Sequence, residues 1–500
     1  MLTLRRLTIP LLLLSSAGRA LAQGGDTLQL SIEAAVERSL RAADEARQAL
    51  AQLDATEAQV TVARAGALPT LRLNGLYTRQ LENARAQAVG QIFNQPNTYN
   101  INANITQPLF QGGRVFAATR AAGRLRRAAR LDVTEVRAQL TLDVQRAYLQ
   151  ALFSDRLVQI QTQNVSLASA RLTQVQQLEG GGRAARYDVL RARVERANIE
   201  PQLLQARNDH ELAMLELKRL LNVPVERPVA LTTSVDAQAL PALLASYERD
   251  STAEAERASV RSAELVARAR RDAVAVARAD LLPTVNVFFQ TGYQAFPVSG
   301  LPTRWGEART EPCDPSAPVT CRPTTTQNGG FFSDRQVGVV INWPLFDGLR
   351  AKGNIDLAQA QARLAETQLN LEREQVALEV AQARAELARA RAAFAAQQLN
   401  GQDATEAFRL ASLRFTRGLG TQLDVSDAQL ALLTAKTNEA RAVYDLYLAS
   451  ASLAFALGRP IPFPPSGTSP TRTTLRSDAP TSPRVRSDTS AATKPKSPDR

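Results

Sequence analysis

The chain has 500 residues, of which 44% are hydrophobic and 5% aromatic, so it is long enough for two or three domains and too apolar to be disordered throughout. Its net charge of +12 falls to +5 for residues 23–463, because the first 22 residues and the segment from Pro464 onward are both basic. The remaining arginines are dispersed among Glu and Ala without forming a basic cluster, which argues against nucleic-acid binding.

The N-terminus has the pattern of a secretory signal peptide, which we assign to residues 1–22. Arg5 and Arg6 precede a run of leucines, and Ala20-Leu21-Ala22 provides an A-x-A cleavage site. We therefore expect the mature chain to leave the cytoplasm. Beyond this segment no apolar run approaches the roughly 18 to 20 residues of a membrane-spanning helix, which argues against an inner-membrane transporter or receptor.

An internal repeat organises the rest of the chain. Leu68-Pro69-Thr70 recurs as Leu282-Pro283-Thr284. Pro108-Leu109-Phe110 recurs as Pro344-Leu345-Phe346, and the number of residues between these two copies, the offset, is larger than for the first pair. This larger offset then holds without a gap to the end of the repeat. The two halves are therefore copies of one unit. The difference between the offsets falls within residues 295–334, which indicates a surface insertion.

Each copy is expected to contain a helix, two strands, a very long helix, a turn and a return helix. The first repeat is assigned to residues 23–224, with strands at about 70–80 and 98–107, a long helix at about 114–178 and a return helix at about 186–221. A linker at 225–244 leads to the second repeat at 245–460, with strands at about 284–294 and 335–344, a long helix at about 350–415 and a return helix at about 422–457. Residues 461–500 form a tail that is predicted to be disordered because it is rich in Pro, Ser, Thr and Arg.

The long helices are predicted from composition and periodicity. Between Gly123 and Gly180 there is no Gly or Pro, and strong helix formers dominate. Apolar residues recur every three or four positions, as in a coiled-coil seam, with one exception at Glu372. The seam positions are Val133, Val136, Leu140, Val144, Ala147 and Ala151 in the first copy, and Leu369, Val376, Val380, Ala383 and Leu387 in the second. In the first return helix, Pro201 predicts a kink or a break.

The four predicted strands alternate apolar and polar residues. In residues 98–106 every odd position is apolar and every even position is Asn or Thr. Alternation alone favours half-buried hairpins of a soluble sandwich. However, each segment has about ten residues with aromatics near its ends, as in strands that cross a bilayer, and the exported, long-helical context favours that interpretation. If the strands cross a bilayer, Ile101, Val287 and Ile341 face lipid, and Asn102 and Asn286 face the lumen.

Four strands cannot close a barrel, and an open sheet edge in lipid leaves backbone groups unpaired at a cost of several kcal/mol each. The membrane interpretation therefore requires oligomers. Two chains would give eight strands around an interior filled by side chains, and three would give twelve strands with room for a channel. The Asn-rich face suits water, which favours three.

These features resemble the outer-membrane efflux (TolC) family. The resemblance covers roughly residues 28–460 and rests on the duplication, the helix ends at Leu68-Pro69 and Leu282-Pro283, the Pro-Leu-Phe-x-Gly motifs, and the glycine turns that are followed by Asp-Val. It implies a mainly α chain with a membrane β-barrel, in which a trimeric 12-stranded β-barrel is continued by a long α-helical coiled-coil barrel. It also implies an exit duct of a tripartite efflux pump or type I secretion system, located in the outer membrane of a Gram-negative bacterium and extending into the periplasm, without catalysis or cofactor. Its partners would be a periplasmic adaptor protein, an inner-membrane transporter and outer-membrane lipid.

The resemblance also suggests roles for residues at the two turns. The adaptor would dock at Gly182, Gly418, Leu419 and Gly420, although the first turn has Arg183 where an apolar residue often lies. Asp424 and Asp427 match acidic positions that line the pore constriction, where six carboxylates in a trimer would favour cations. Asp188 and Phe415 match gate-linking positions, at which a side chain helps to hold the helices of the channel in the closed state. Alternatively, the glycines are simple helix caps, and the aspartates are carboxylates favoured at helix starts.

Two further features bear on function. Cys313 and Cys321 are the only cysteines and lie in the inserted loop of an exported chain, so we expect them to form a local disulfide. A single histidine and the lack of any catalytic constellation argue against an enzyme and against a metal site. The main alternative from another class is a soluble periplasmic coiled-coil scaffold that binds partners and conducts nothing.

Overall fold

The computed structural model describes residues 27–89, 96–233, 257–297, 301, 309–311, 324–326 and 330–461. The predicted signal peptide, the second half of the predicted linker, nearly all of the predicted tail, and Cys313 and Cys321 lie outside these residues.

The elements follow the expected order. The first repeat contributes β1 (Leu28–Leu30), α1 (Ile32–Ala42), α2 (Asp44–Ala65), β2 (Thr70–Arg79), α3 (Ala84–Val89), β3 (Asn97–Gln111), α4 (Arg114–Gly180) and α5 (Arg186–Leu220). After β4 (Val229–Leu231), the second repeat contributes α6 (Ala258–Arg278), β5 (Thr284–Ala295), β6 (Arg309–Glu311), β7 (Thr324–Thr326), β8 (Phe332–Asn342), α7 (Arg350–Thr416) and α8 (Gln422–Ala456).

The two repeats have matching helices. Both α4 and α7 contain 67 residues, which corresponds to a length of about 100 Å. Both α5 and α8 contain 35 residues. Helices α7 and α8 begin and end at the same offset from α4 and α5 that separates the two Pro-Leu-Phe motifs, and α6 begins at the offset from α2 that separates the two Leu-Pro-Thr motifs. The duplication inferred from short sequence matches is therefore present in the secondary structure.

The long helices pack into two hairpins, α4 with α5 and α7 with α8, and α8 also contacts α4. Helix α6 lies against both long helices. The predicted seam is confirmed, since Leu140, Val144 and Ala151 of α4 are buried in the same core as Val376 and Leu387 of α7. Burial of apolar side chains at this spacing is the main stabilising contribution to such long helices.

The N-terminal segment and the start of the linker contact the middle of α4. Strand β1 pairs in parallel with β4. The buried Tyr148 of α4 donates its hydroxyl to the Leu30 carbonyl at 2.7 Å and accepts the Thr233 N–H at 3.2 Å. Nearby, the buried Arg257 forms ion pairs with Glu135 of α4 and Glu379 of α7. Arg257, at the start of the second repeat, is thereby joined to the long helices of both repeats.

The strands form one antiparallel sheet in the order β2-β3-β5-β8, with β2 and β8 at its edges. Directly paired residues lie on the same face of a sheet. Ile101 pairs with Tyr293, and Asn102 pairs with both Asn74 and Gly292. The register therefore gathers the apolar residues Leu71, Leu73, Tyr77, Tyr99, Ile101, Ile105, Val285, Val287, Phe289, Tyr293, Val337, Val339 and Ile341 on one face.

The opposite face is mostly polar. Asn74 donates to Asn102 at 3.2 Å, and Asn102 donates to Asn100 at 2.8 Å, so these three asparagines are hydrogen-bonded in a row. Asn286 and Gln290 of β5 lie on this same face. The division between the two faces agrees with the expected alternation.

Two local features add to the expectations. Strand β3 continues through Pro108 to Gln111, beyond its predicted end at about residue 107, and its pairing with β5 shifts register between Pro108 and Phe110. A proline lacks the N–H of a regular ladder, and a register shift accommodates that loss. Helix α5 is continuous through Pro201, so the predicted break is absent, and a kink there stays a prediction.

Candidate functional site

The two turns that join the long helices to the return helices have the same backbone hydrogen bonds. In the first turn, Gly182 N–H donates to the Glu179 carbonyl at 2.8 Å and Arg183 N–H donates to Leu178 at 2.8 Å. The equivalent bonds of the second turn are Gly418 to Phe415 at 3.0 Å and Leu419 to Arg414 at 2.9 Å. Gly182 and Gly418 have φ of 71° and 73°, a left-handed conformation that explains the glycine in each copy.

The return helices begin differently. In α8, Thr421 caps the helix, because its hydroxyl accepts the Asp424 N–H at 3.2 Å while Asp424 accepts the Thr421 N–H at 2.8 Å. The backbone N–H and then the side chain of Thr421 lower the pKa of Asp424 below its ordinary value. In α5 the cap is Ala185, which has no side-chain oxygen, and Asp188 accepts the Ala185 N–H at 3.2 Å.

The predicted pore residues lie within the first two turns of α8. Asp424 and Asp427 are both exposed in the protomer. Asp427 also borders a cleft of about 360 Å³ between α4, α5 and α8, together with Arg191 and Glu195. The helix-start role of Asp424 is therefore present.

The remaining predicted residues are placed as follows. Leu419 is 69% exposed at the apex of the second turn, beside Gly418 and Gly420. Phe415 is half-buried at the end of α7. The hydrogen bonds of Asp188 with described residues stay within the start of its own helix. A gate-linking role for Asp188 and Phe415 stays a prediction.

The structure contains a buried polar cluster that the sequence analysis missed. Arg171 of α4 is 7% exposed. Its guanidinium donates to the Gln422 carbonyl at 3.1 Å, to Ser426 Oγ at 3.2 Å and to Gln429 Oε1 at 3.4 Å, all on α8. It also lies 3.9 Å from Glu195 Oε1 of α5. One signal was available, because Arg171 occupies a seam position between Ala168 and Val175, where an apolar residue is expected.

The cluster is extended by hydrogen bonds among its other members. Ser426 donates to Glu195 Oε2 at 3.1 Å, and Gln429 donates to Asn164 Oδ1 at 2.7 Å. Burial lowers the pKa of Arg171, and the charge of Glu195 opposes this shift. Because the guanidinium pKa starts far above neutrality, Arg171 remains charged. The cluster thus joins both hairpins next to Asp424 and Asp427.

Two other properties bear on the chemistry of the chain. In the part of the chain that the structure describes, no three His, Cys, Asp or Glu side chains are grouped so as to hold a metal ion. None of the described helices combines the length and the apolar character required to cross a membrane.

Several solved structures that are similar to this chain are outer-membrane proteins. The outer membrane protein VceC from Vibrio cholerae is 20% identical, with a TM-score of 0.69 over 86% of this chain and 97% of its own. The Campylobacter jejuni CmeC outer membrane channel is 15% identical, with a TM-score of 0.71 over 85% of each chain. The open state of the Neisseria gonorrhoeae MtrE outer membrane channel is 19% identical, with a TM-score of 0.65 over 86% and 89%. No curated protein sequence gives a significant match.

The architecture is that of outer-membrane channels in which a trimeric β-barrel is continued by an α-helical barrel. The sequence model of the outer membrane efflux proteins matches residues 35–223 and 251–459, one stretch in each repeat. The chain therefore belongs to the outer membrane efflux protein family.

Membership in this family settles the expected location and general role. The protein is an exit duct in the outer membrane of a Gram-negative bacterium and extends into the periplasm. Its family consists of transport channels that are generally trimeric and work with efflux pump partners. No observation supports the alternative of a soluble scaffold.

Proposed function

We propose that this duct is the outer component of a three-part export machine, in which a periplasmic adaptor connects it to an inner-membrane transporter. The supporting observation is the pair of equivalent turns at the ends of two long helices, each about 100 Å in length. Such a length reaches far into the periplasm, so the turns lie where a partner anchored in the inner membrane could meet them.

The barrel would be closed by pairing between protomers. Within the described part of one protomer, the edge strands β2 and β8 each have a row of backbone groups with no partner strand. Pairing of β8 with β2 of the next protomer removes every edge when three chains close a ring of twelve strands. The apolar face with Ile101 and Ile341 would then contact outer-membrane lipid, and the asparagines would line the lumen.

The adaptor is proposed to dock at the second turn, with a smaller contribution from the first. Leu419 is an apolar side chain on an exposed turn, and Gly418 and Gly420 allow a partner backbone to approach closely. At the first turn the equivalent contact is made by Gly182 and the exposed Arg183.

Asp424 and Asp427 are proposed to form the constriction at the periplasmic end. In a trimer six carboxylates would surround one axis, and unit charges several Å apart in water interact by about 1 kcal/mol per pair. The resulting potential attracts cations. The related MtrE channel has been described in an open state, and an aperture that opens and closes is proposed for this chain as well.

The constriction is tested by ion selectivity in planar lipid bilayers. The double variant Asp424→Asn with Asp427→Asn should remain trimeric, lose its cation preference and become insensitive to block by divalent cations. The matched control is Asp209→Asn with Glu211→Gln, which removes two exposed carboxylates from α5 far from the turn. Unchanged selectivity in the first variant would show that these carboxylates serve only as helix-start residues.

A further inference from the structure

Two exposed arginines interrupt the apolar face of the sheet. Arg79 is the last residue of β2, and strand pairing places it on the same face as Tyr77. Arg335 is the fourth residue of β8 and lies on the same face as Val337. Neither guanidinium has an ion pair or a hydrogen bond with any other residue that the structure describes. Both charges are therefore available to a partner outside the protomer.

The two arginines lie at the end of the sheet that is away from the helices. Helices α4 and α7 follow the opposite ends of β3 and β8 and extend into the periplasm, so Arg79 and Arg335 lie on the side of the outer leaflet. Arg335 is three residues past the start of β8, or about 10 Å along the strand. A lipid-facing arginine is unfavourable, but less so near an interface, and its long side chain can reach the headgroups.

The duplication shows that the arginines are confined to the edge strands. The residue of the second repeat that is equivalent to Arg79 is Tyr293, and the residue of the first repeat that is equivalent to Arg335 is Tyr99. The inner strands β3 and β5 thus carry tyrosine at these positions, and the edge strands β2 and β8 carry arginine. Tyrosine is typical of the aromatic girdle of a barrel. Arginine takes its place on the two strands at which protomers are proposed to pair.

This pairing creates a need for an anion. When β8 pairs with β2 of the next protomer, Arg335 of one copy and Arg79 of the next lie on neighbouring strands near the same end of the sheet. Like charges on neighbouring strands repel each other. An anion between them removes that repulsion, and a guanidinium binds phosphate through two parallel hydrogen bonds. The outer leaflet of a Gram-negative outer membrane supplies such an anion, because its lipopolysaccharide carries phosphates on lipid A.

We propose that Arg79 and Arg335 of adjacent protomers bind the lipid A phosphates of lipopolysaccharide at each boundary between protomers. The site is complete only when two copies pair, so the bound glycolipid also stabilises the closed ring. The rings of Tyr77 and Tyr99 stack at 4.7 Å on the same face beside Arg79, where they would contact the same lipid. This inference rests on the proposed closure of the barrel and adds to it the ligand that covers each boundary.

The test is the affinity of purified, delipidated trimers for purified lipopolysaccharide, measured by titration in detergent. Arg79→Tyr with Arg335→Tyr introduces the residues that the equivalent positions of the other repeat already carry, so trimers should form. Its affinity should fall at least tenfold. The matched control is Arg72→Gln, because Arg72 is an exposed arginine of β2 whose pairing with Asn104 places it on the opposite, polar face. This control should bind as the wild type does.

Two further ligands identify the source of the phosphate. Lipopolysaccharide from which the lipid A phosphates have been removed enzymatically should bind wild-type trimers as weakly as the intact glycolipid binds the tyrosine variant. Phosphatidylglycerol, an anionic phospholipid, should bind wild-type trimers and the tyrosine variant equally. Wild-type trimers that bind phosphatidylglycerol as tightly as lipopolysaccharide would overturn the assignment to the glycolipid.

A second variant covers the case in which the tyrosine variant yields no trimer. Arg79→Gln with Arg335→Gln removes both charges and keeps polar side chains, and it should show the same loss of affinity. Trimers of either double variant with wild-type affinity would overturn the proposal, and so would an equal loss in Arg72→Gln. Failure of the proposed barrel closure is distinct, because the wild-type chain itself would then not run as a trimer in detergent.

Discussion

The two helical hairpins share one backbone and differ in the side chains at their ends. The hydrogen bonds of the two turns are equivalent, yet Leu419 corresponds to Arg183 and Asp427 corresponds to Arg191. Helix length and turn geometry depend on the apolar seam and on one left-handed glycine, both of which the duplication preserved. The residues proposed for docking and for the constriction are concentrated in the second copy. The two copies thus share the same helices and turns, while the side chains at one of the two turns have diverged.

On the middle of the apolar face of the sheet, unlike at the tips, the two repeats mostly keep the same kind of residue at equivalent positions. Substitutions in the sheet should have the largest effects. Ile101 and its counterpart Val337 lie on the same apolar face. Arginine at either position should cost about 2–4 kcal/mol near the middle of the bilayer, because the charge would face lipid. Asn102→Arg, on the opposite face, should be tolerated.

The measurement is the yield of membrane-inserted trimer. Equal yields for Ile101→Arg and Asn102→Arg would contradict the assignment of the faces. A strong loss with Ile101→Arg but none with Val337→Arg would show that the repeats are not equivalent in the membrane.

The next largest effect is expected at the tips. Leu419→Asp should weaken adaptor binding by about 2 kcal/mol or more, as expected for an apolar contact at the centre of an interface. That loss corresponds to about thirtyfold in affinity, and export should fall while the trimer level stays normal. Arg183→Asp is the control in the equivalent position of the first turn and should reduce export less. Similar losses in both variants would mean that the two tips dock equally.

A smaller difference is expected where the long helices begin. Gly113 and its counterpart Leu349 have φ of 78° and 69°, a left-handed conformation that is strained for leucine. Leu349→Gly should therefore stabilise the trimer against thermal dissociation by about 1 kcal/mol per protomer, and Gly113→Leu should destabilise it by about 1–2 kcal/mol. A Cβ at Gly113 meets open space, so the second effect is conformational. A lower dissociation temperature for Leu349→Gly would show that this side chain makes a compensating contact in the trimer.

The smallest effect concerns the helix caps. Thr421→Ala removes the hydroxyl that accepts the Asp424 N–H and should cost about 1 kcal/mol. The reciprocal change, Ala185→Thr, should add a similar amount, because the first return helix lacks a side-chain cap. Thermal dissociation of the two variants should shift in opposite directions. A shift in the same direction would indicate that the two helix starts have different backbone geometries in the trimer.

The sequence by itself determined the duplication, the length of the long helices, the buried seam and the two faces of the strands. These features depend on local periodicity and on glycine positions, both of which are visible in the amino-acid sequence. It did not determine the strand order, in which β3 of the first repeat lies beside β5 of the second, the register shift at Pro108 or the continuity of α5 through Pro201. The cluster at Arg171 was also decided by tertiary structure alone, because its partner Gln429 lies 258 residues away. No local pattern specifies such a contact, and packing of the two hairpins brings these side chains together.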